Sequence, residues 1–466
     1  MNRKWWTLAG ACAGLFVLML DSTVVALALP EIRHDVDASA EGLQWMMNGY
    51  LLTIAVLVVT AGRLGDMFGR KRVFLAGMAL FAVGSVVSGA AEDQTALIAG
   101  RVLQGAGAAP MLSLSLALVC NVFPSEEQPR ALGIWAAVSA IALAVGPLAG
   151  GVLIELDWRV IFWMNLPVCA LGIAITLANA PESTDPGAGS RVDWPGLAFL
   201  SAGLTAVVLA LVQSQAWSAG AALALGLAGL LLLLGFWAIE HRVRDPIVEF
   251  ALFRNGPYFG ASAAAFCLVG AYWAVMFFQP QYLQDARDHS PILSGLMILP
   301  VTAPMVFVSP FSGRLIARFG ARRLMTAGML CGTLGLLVLT RVEADSPYGL
   351  LLAGYLLFGV ALGLVYAPMS TAAMAAMPGE KVGIASGVLA MDRVLAGAVA
   401  LAAVGAAFHA LLGDGRSFAA AIADSTWVVV ALCAIGTALT WAFVRDSTKP
   451  PAGEPQHHLH HKRFHL

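Results

Sequence analysis

In 466 residues, 59% are hydrophobic and only 12% charged, with a mean hydropathy of +0.79; this leaves too little polar surface to cover a soluble globule, so the chain belongs in a lipid bilayer. A formal net charge of -1 offers no basic surface, and no nucleic-acid partner is expected. Cys12, Cys120, Cys169, Cys267, Cys331 and Cys433 sit singly inside apolar runs, which argues for small-hydrophobe packing over disulfides or a metal cluster.

Along the chain, apolar runs of spanning length alternate with charged or Pro/Gly-rich breaks. The first six cover 5–30, 43–62, 73–91, 95–123, 130–154 and 160–178, and two more cover 194–213 and 217–239. After a charged connector, six follow at 258–280, 292–313, 324–340, 348–377, 383–411 and 427–444. Fourteen such runs predict an all-α integral membrane protein, and the first is long enough to remain as a span rather than be cleaved as a leader. With the amino terminus in the cytoplasm, twenty of the 27 Lys and Arg residues fall inside, while Arg33, Arg159, Arg287, Arg341 and Arg416 fall outside. An even number of spans then returns the carboxy terminus to the cytoplasm. The expected location is the inner (plasma) membrane of the cell.

Residues 62–72 read Gly-Arg-Leu-Gly-Asp-Met-Phe-Gly-Arg-Lys-Arg, a basic, glycine-rich loop between the second and third runs. A weaker copy at 313–323 keeps Gly313 and Gly320 but has Ala317 where the first has Asp66. One loop repeated at matching places in two halves marks an internally duplicated transporter. The copies lie 251 residues apart, about fifty more than six spans and their connections occupy. The surplus is the pair of runs at 194–239, so the plan is 6 + 2 + 6: a six-helix bundle in 1–180, a linker and two inserted helices in 181–256, a second six-helix bundle in 257–446 and a polar cytoplasmic tail in 447–466. The inserted runs contain no acidic residue and no Lys or Arg, and are expected outside both bundles, against lipid or a partner.

Gly62, Asp66, Gly69, Arg70 and Lys71 fit the Gly-x-x-x-Asp-x-x-Gly-Arg-Lys loop of the major facilitator superfamily, which the chain therefore resembles. Asp21-Ser22-Thr23 with Ala28-Leu29-Pro30 resembles the first-span signature of its fourteen-span drug:proton antiporter branch, and Trp158-Arg159 with Phe162, Asn165 and Pro167 resembles that branch's entry to the sixth span. Arg101, Gln104, Gly105 and Gly107 match the fourth-span motif. Gly146, Pro147, Gly150 and Gly151 match the antiporter motif of the fifth, with Ala142 where a glycine is usual. The resemblance covers nearly the whole chain up to the tail. It implies the major facilitator fold and an exporter of small lipophilic or cationic drugs or antibiotics, driven by the proton gradient with no cofactor and acting as a monomer. An endogenous metabolite or a self-made antibiotic is the alternative cargo, and a non-transporting receptor or scaffold the alternative class.

The residues carry a physical reading of their own. A charge inside a span costs several kcal/mol unless paired or hydrated. Asp21 lies nine residues before Pro30, hence about 13 Å from that end and near mid-bilayer. Arg101 enters from the same side about 9 Å deep, so the two can approach, either as a proton-coupling pair or as a permanent structural ion pair. Asp392 and Arg393 form a second intramembrane candidate, diverging by about 100° around their helix. In the loop, Asp66 can bridge to the basic residues and helix ends and latch neighbouring helices, and the same loop also serves as a basic topological anchor. The small residues of the fifth span allow close packing or a bend. Counting back 41 residues from Gly62 reaches Asp21, and from Gly313 reaches Tyr272. Tyr272, Trp273, Phe277 and Gln279, with Trp135 and Tyr366, suit a planar or cationic substrate through stacking and cation–π contact, or else serve as packing. No nucleophile–base or metal-ligand spacing appears within the spans, so no enzymatic activity is expected. The tail histidines His457, His458, His460, His461 and His465 read as a polar end more readily than as a metal sensor.

Overall fold

The computed structural model describes residues 3–124, 126–184, 193–214, 217–243, 246–308, 311–378 and 381–445; the histidine-bearing tail lies outside the described residues. Among these, fourteen helices are long and apolar enough to cross a bilayer. The first six are α1 (Arg3–Asp35), α2 (Ala40–Phe68), α3 (Arg70–Gly89), α4 (Gln94–Val122), α5 (Arg130–Ile154) and α6 (Val160–Asn179). The next two are α7 (Trp194–Val212) and α8 (Ala219–Glu240). The last six are α9 (Gly256–Ala286), α10 (Pro291–Val308), α11 (Ala321–Leu339), α12 (Tyr348–Ala375), α13 (Ile384–Gly413) and α14 (Phe418–Phe443). Each coincides with an apolar run of the sequence. Starts are set by side chains that satisfy the free amides of the first turn: Ser39 Oγ accepts from Gly42 N at 3.0 Å and Asp93 Oδ1 from Thr95 N at 2.8 Å.

The neighbours within the first six helices recur within the last six. The pairs α1–α5, α1–α6, α2–α4, α3–α4 and α3–α6 are matched by α9–α13, α9–α14, α10–α12, α11–α12 and α11–α14. Two seams join the halves, α5 with α10 and α2 with α13, again related by the same correspondence.

The seams close at the end of the molecule remote from the chain's first residues. There Gln44 Nε2 and His409 Nε2 lie 2.9 Å apart, Gln284 Nε2 donates to Leu27 O at 2.9 Å, and Arg33 Nη1 stands 3.9 Å from Asp285 Oδ2. Small residues let the backbones touch. A Cβ on Gly295 of α10 would fall 2.2 Å from Pro147 O, and one on Gly151 would fall 2.8 Å from Pro291 O. A Cβ on Gly133 of α5 or on Gly387 of α13, towards the opposite end of the same helices, would meet nothing within 4 Å. The described side-chain bonds between the halves thus lie at the remote end.

The two inserted helices differ in what they face. Helix α8 does lie outside, with Leu223, Leu231 and Leu234 each more than 60% exposed. Helix α7 also lies outside but meets protein as well as lipid, because it packs against both α2 and α13 and so lies over the seam between the halves. A correction concerns residues 62–72, which are not a loop: α2 continues to Phe68 and α3 begins at Arg70, leaving Gly69 as the turn, at φ 112°, a conformation that L side chains rarely adopt.

Packing at Gly146 is a place to test this arrangement. A Cβ there would lie 1.8 Å from Thr23 Oγ1, so Gly146→Val must push α1 and α5 apart at a cost of about 1–3 kcal/mol. Thermal unfolding of the detergent-solubilised protein should fall accordingly, whereas Gly133→Val should leave it in place; equal melting of the two variants would contradict the close contact.

Candidate functional site

The centre of the first half is a charged pair sealed from solvent. Asp21 on α1 and Arg101 on α4 are both 0% exposed, and Arg101 Nη1 donates to Asp21 Oδ2 at 2.6 Å. The other carboxylate oxygen accepts from Asn165 Nδ2 of α6 at 2.9 Å and from Gln104 Nε2 at 3.2 Å. Gln104 Oε1 in turn accepts from Arg101 Nη1 at 2.7 Å, and Ser85 Oγ of α3 accepts from both Gln104 and Asn165. Arg101 Nε reaches Met46 O on α2, and its guanidinium stacks 4.1 Å from the Tyr50 ring centroid. Five helices therefore converge on one carboxylate. What makes this possible is glycine: a Cβ on Gly84 would lie 2.5 Å from Gln104 N and one on Gly107 2.3 Å from Phe81 N, so α3 and α4 touch backbone to backbone and Ser85 meets Gln104.

Burial of such a pair is tolerated only when the remaining lone pairs and protons are satisfied. Here the carboxylate is satisfied on both oxygens, but Arg101 Nη2, Asn165 Oδ1 and Tyr50 Oη have no partner among the described residues. The guanidinium is thus held by Asp21 and Gln104 through Nη1, by Met46 O through Nε and by the Tyr50 ring, with Nη2 left over. Sequence reading had paired Asp21 with Arg101 but missed Ser85 and gave Asn165 no role. Trp158 and Arg159 of the same sixth-span motif pin the remote end of α1, donating to Asp35 Oδ2 at 3.0 and 2.8 Å.

The α2–α3 junction is a second polar cluster. Asp66 Oδ1 accepts from Arg70 Nε at 2.8 Å, one turn away across Gly69. Lys71 Nζ donates to Leu177 O at 2.9 Å, and the amides of Lys71 and Arg72 donate to Glu182 at 3.0 and 3.3 Å. Glu182, which no motif singled out, thereby caps α3 and complements the positive end of that helix. Gly69 must lack a side chain for this as well, since a Cβ would lie 2.6 Å from Glu182 Cδ. In the second copy Gly320 turns in the same way at φ 83°, with no carboxylate at Ala317.

Comparison with known proteins accords with this geometry. Residues 11–401 match the family described as Major Facilitator Superfamily. The chain belongs to that superfamily. A "Multidrug resistance protein Stp" of Mycobacterium tuberculosis is 36% identical over 88% of this chain and 77% of its own length. A "Tetracenomycin C resistance and export protein" of Streptomyces glaucescens is 33% identical over 89% of this chain and 77% of its own length. The crystal structure of the POT family transporter PepTSo superposes with a TM-score of 0.70 at 13% identity, over 95% of this chain and 98% of the other, a likeness of fold alone. As a member of the superfamily the protein is a membrane transporter and not an enzyme.

Other candidate residues of this superfamily member are distributed as follows. In the antiporter motif, Gly146 and Gly150 face α1 at Thr23 and Val24, while Pro147 and Gly151 face α10, so one stretch of α5 serves both contacts. Asp392 and Arg393 do not pair with each other. Arg393 lies 5.5 Å from the Tyr366 ring centroid, and Asp392 Oδ2 is buried with no hydrogen-bond partner among the described residues. Tyr272 is 7% exposed with its hydroxyl unpartnered, and its ring lies 5.8 Å from that of Trp273, which packs on Gly397 of α13. Gln279 accepts from Tyr355 Oη at 2.6 Å. Phe277 stacks edge-on with Phe278, itself against Phe408, so these two rings serve packing in this conformation. Trp135 stands apart from the others: it belongs to a separate apolar cluster with Leu8, Cys12 and Phe123 and donates to Ser115 Oγ at 3.3 Å.

Removing one partner of the central pair leaves the other as an uncompensated buried charge, at a cost of about 3–5 kcal/mol. Arg101→Met should therefore destabilise the solubilised protein by about that amount, and Asp21→Asn placed in the same chain should recover most of the loss. A double-mutant cycle showing no coupling between the two positions would contradict the geometry.

Proposed function

We propose that the protein is a proton-coupled antiporter that exports small lipophilic or cationic drugs or antibiotics by alternating access, with both termini cytoplasmic in the inner membrane. Support for the cargo class comes from the relatives, whose names speak of multidrug resistance and of tetracenomycin C resistance and export. The observation that carries the coupling is the sealed Asp21–Arg101 network. Protonating Asp21 removes the only carboxylate bonded to Arg101 among the described residues, and an unneutralised guanidinium in a bilayer favours any rearrangement that hydrates it. Proton binding and the change of conformation are then one event. The residues of 1–180 and 257–446 act as the two six-helix bundles, rocking about the α5–α10 and α2–α13 seams.

In this reading the end that carries residues 62–72 faces the cytoplasm and receives substrate between the bundles, beside Tyr272, Tyr366 and Arg393. Asp392, buried with a free oxygen near the same helices, is a second carrier of protons or of cationic substrate. The bonds of Gln44, Gln284 and Arg33 at the remote end form the outer gate. Asp66 and Arg70 act as the cytoplasmic latch.

Two experiments test the proposal. Expression in a drug-sensitive host should protect against a subset of a compound panel, and in proteoliposomes an imposed pH gradient should drive that compound's movement. Asp21→Asn should abolish the gradient-driven component while surface expression stays near the wild-type amount; undiminished gradient-driven transport would remove Asp21 from the mechanism. Asp66→Ala should slow cycling by about tenfold, equivalent to roughly 1.4 kcal/mol on the barrier. Transport by this variant at the wild-type rate and equal expression would contradict the latch.

A further inference from the structure

The base of the inserted hairpin holds two acids that the transport reading does not use. Asp193 precedes α7 and is 6% exposed, and Glu240 ends α8 and is 4% exposed. Each spends one oxygen on a backbone amide: Asp193 Oδ1 accepts from Gly196 N at 2.9 Å, and Glu240 Oε2 accepts from Val248 N at 3.2 Å. The remaining oxygens, Asp193 Oδ2 and Glu240 Oε1, are buried and have no hydrogen-bond partner among the described residues. They point into one shared space, because a Cβ on Gly196 would lie 2.1 Å from the first and 2.9 Å from the second. Gly196 leaves that space open.

Two buried carboxylates that face one space disfavour a second negative charge, since neither has a counter-ion among the described residues and both, when ionised, are acceptors only. The charged and titratable groups on the surrounding described elements form no described ion pair with either acid. His241 Nδ1 meets Trp237 O at 2.8 Å, Lys381 pairs with Glu249, Arg63 of α2 is itself engaged, and Arg242 and Arg254 are exposed. One added proton turns the two orphan acceptors into a donor and an acceptor, and satisfies both.

We propose that Asp193 and Glu240 together bind one proton, which clasps the start of α7 to the end of α8 and, through Val248, to the connector that leads into α9. A cavity of about 570 Å³ lined by Trp237, Glu240, His241, Pro246, Glu249 and Arg254 borders the site, so the proton exchanges with solvent without crossing the hairpin. The clasp is independent of cargo and of proton-coupled transport.

The test is infrared difference spectroscopy of the full chain in lipid, with Asp193→Asn and Glu240→Gln. Each amide keeps the bond across the shared space but needs no proton, so both wild-type-minus-variant spectra should show loss of the same single protonated-carboxyl band. Two different bands would mean that each acid holds its own proton, and no band in either would mean that the pair is ionised or holds a metal cation; either result overturns the proposal. Thermal unfolding supplies a second readout. A proton held by the native state and released by the unfolded one makes stability fall as pH rises through the pair's titration, and each amide variant should lose that part of the fall. An unchanged pH profile in both variants would also overturn it.

Discussion

Placing one carboxylate and one guanidinium in the middle of an apolar bundle constrains everything around them. The pair must be neutral overall, its spare hydrogen-bonding capacity must be met without water, and no lipid may reach it. Asp21 and Arg101 meet these demands, Arg101 Nη2 excepted, by drawing on five helices: carboxamides from α4 and α6, a hydroxyl from α3, and a backbone carbonyl and an aromatic face from α2. Those donors reach only because glycines bring α3 against α4 without intervening side chains. The small-residue motifs and the charged motifs are thus two parts of one requirement.

The halves share helix neighbours but divide the chemistry. Asp21 in α1 corresponds to Tyr272 in α9, and Asp66 corresponds to Ala317. The first half carries an ion pair whose carboxylate is satisfied on both oxygens, and a second carboxylate at its helix junction. The second carries aromatic rings and Asp392, whose free oxygen has no matched donor among the described residues. A satisfied network has a definite ground state, whereas an unsatisfied one invites a ligand, proton or water. Such a division suits a transporter in which one half handles the driving ion and the other much of the cargo.

How much of this was legible follows from what a bilayer does to sequence signals. Asp21 and Arg101 stand out because charge is costly inside an apolar run, and nine residues of helix suffice to give the depth of the first. Ser85 and Asn165 do not stand out, since a lone serine or asparagine costs little in a span and its neighbours are set by packing between helices. Glu182 was hidden because its role depends on α6 ending beside the start of α3. Glu240 lay one residue beyond the end of its predicted run, where a carboxylate reads as an ordinary helix end. The burial of α7 was not legible at all. Its mean hydropathy of 2.1 is close to the 2.4 of α8, yet 50% of its spanning window is buried against 11%. Lipid tails are as apolar as leucine, so the face that meets protein and the face that meets lipid are written alike.

The position of α7 bears on how the halves can move. It touches α2 and α13, the two helices of one seam, while no inserted helix covers the opposite seam of α5 and α10. If the halves rock, α7 cannot keep its contacts with both α2 and α13 unchanged. No side-chain hydrogen bond among the described residues ties α7 to either, and Ser201 spends its hydroxyl on Leu197 O within its own helix. Apolar contact of this kind slides at little cost, because each displaced atom pair forfeits only about 0.1–0.2 kcal/mol and is replaced by another. The polar attachments of the hairpin are gathered instead at its base, on Gly196 N, Val248 N and the two acids between them. A hairpin that is fixed at one end and smooth along its length keeps lipid out of the seam without locking it.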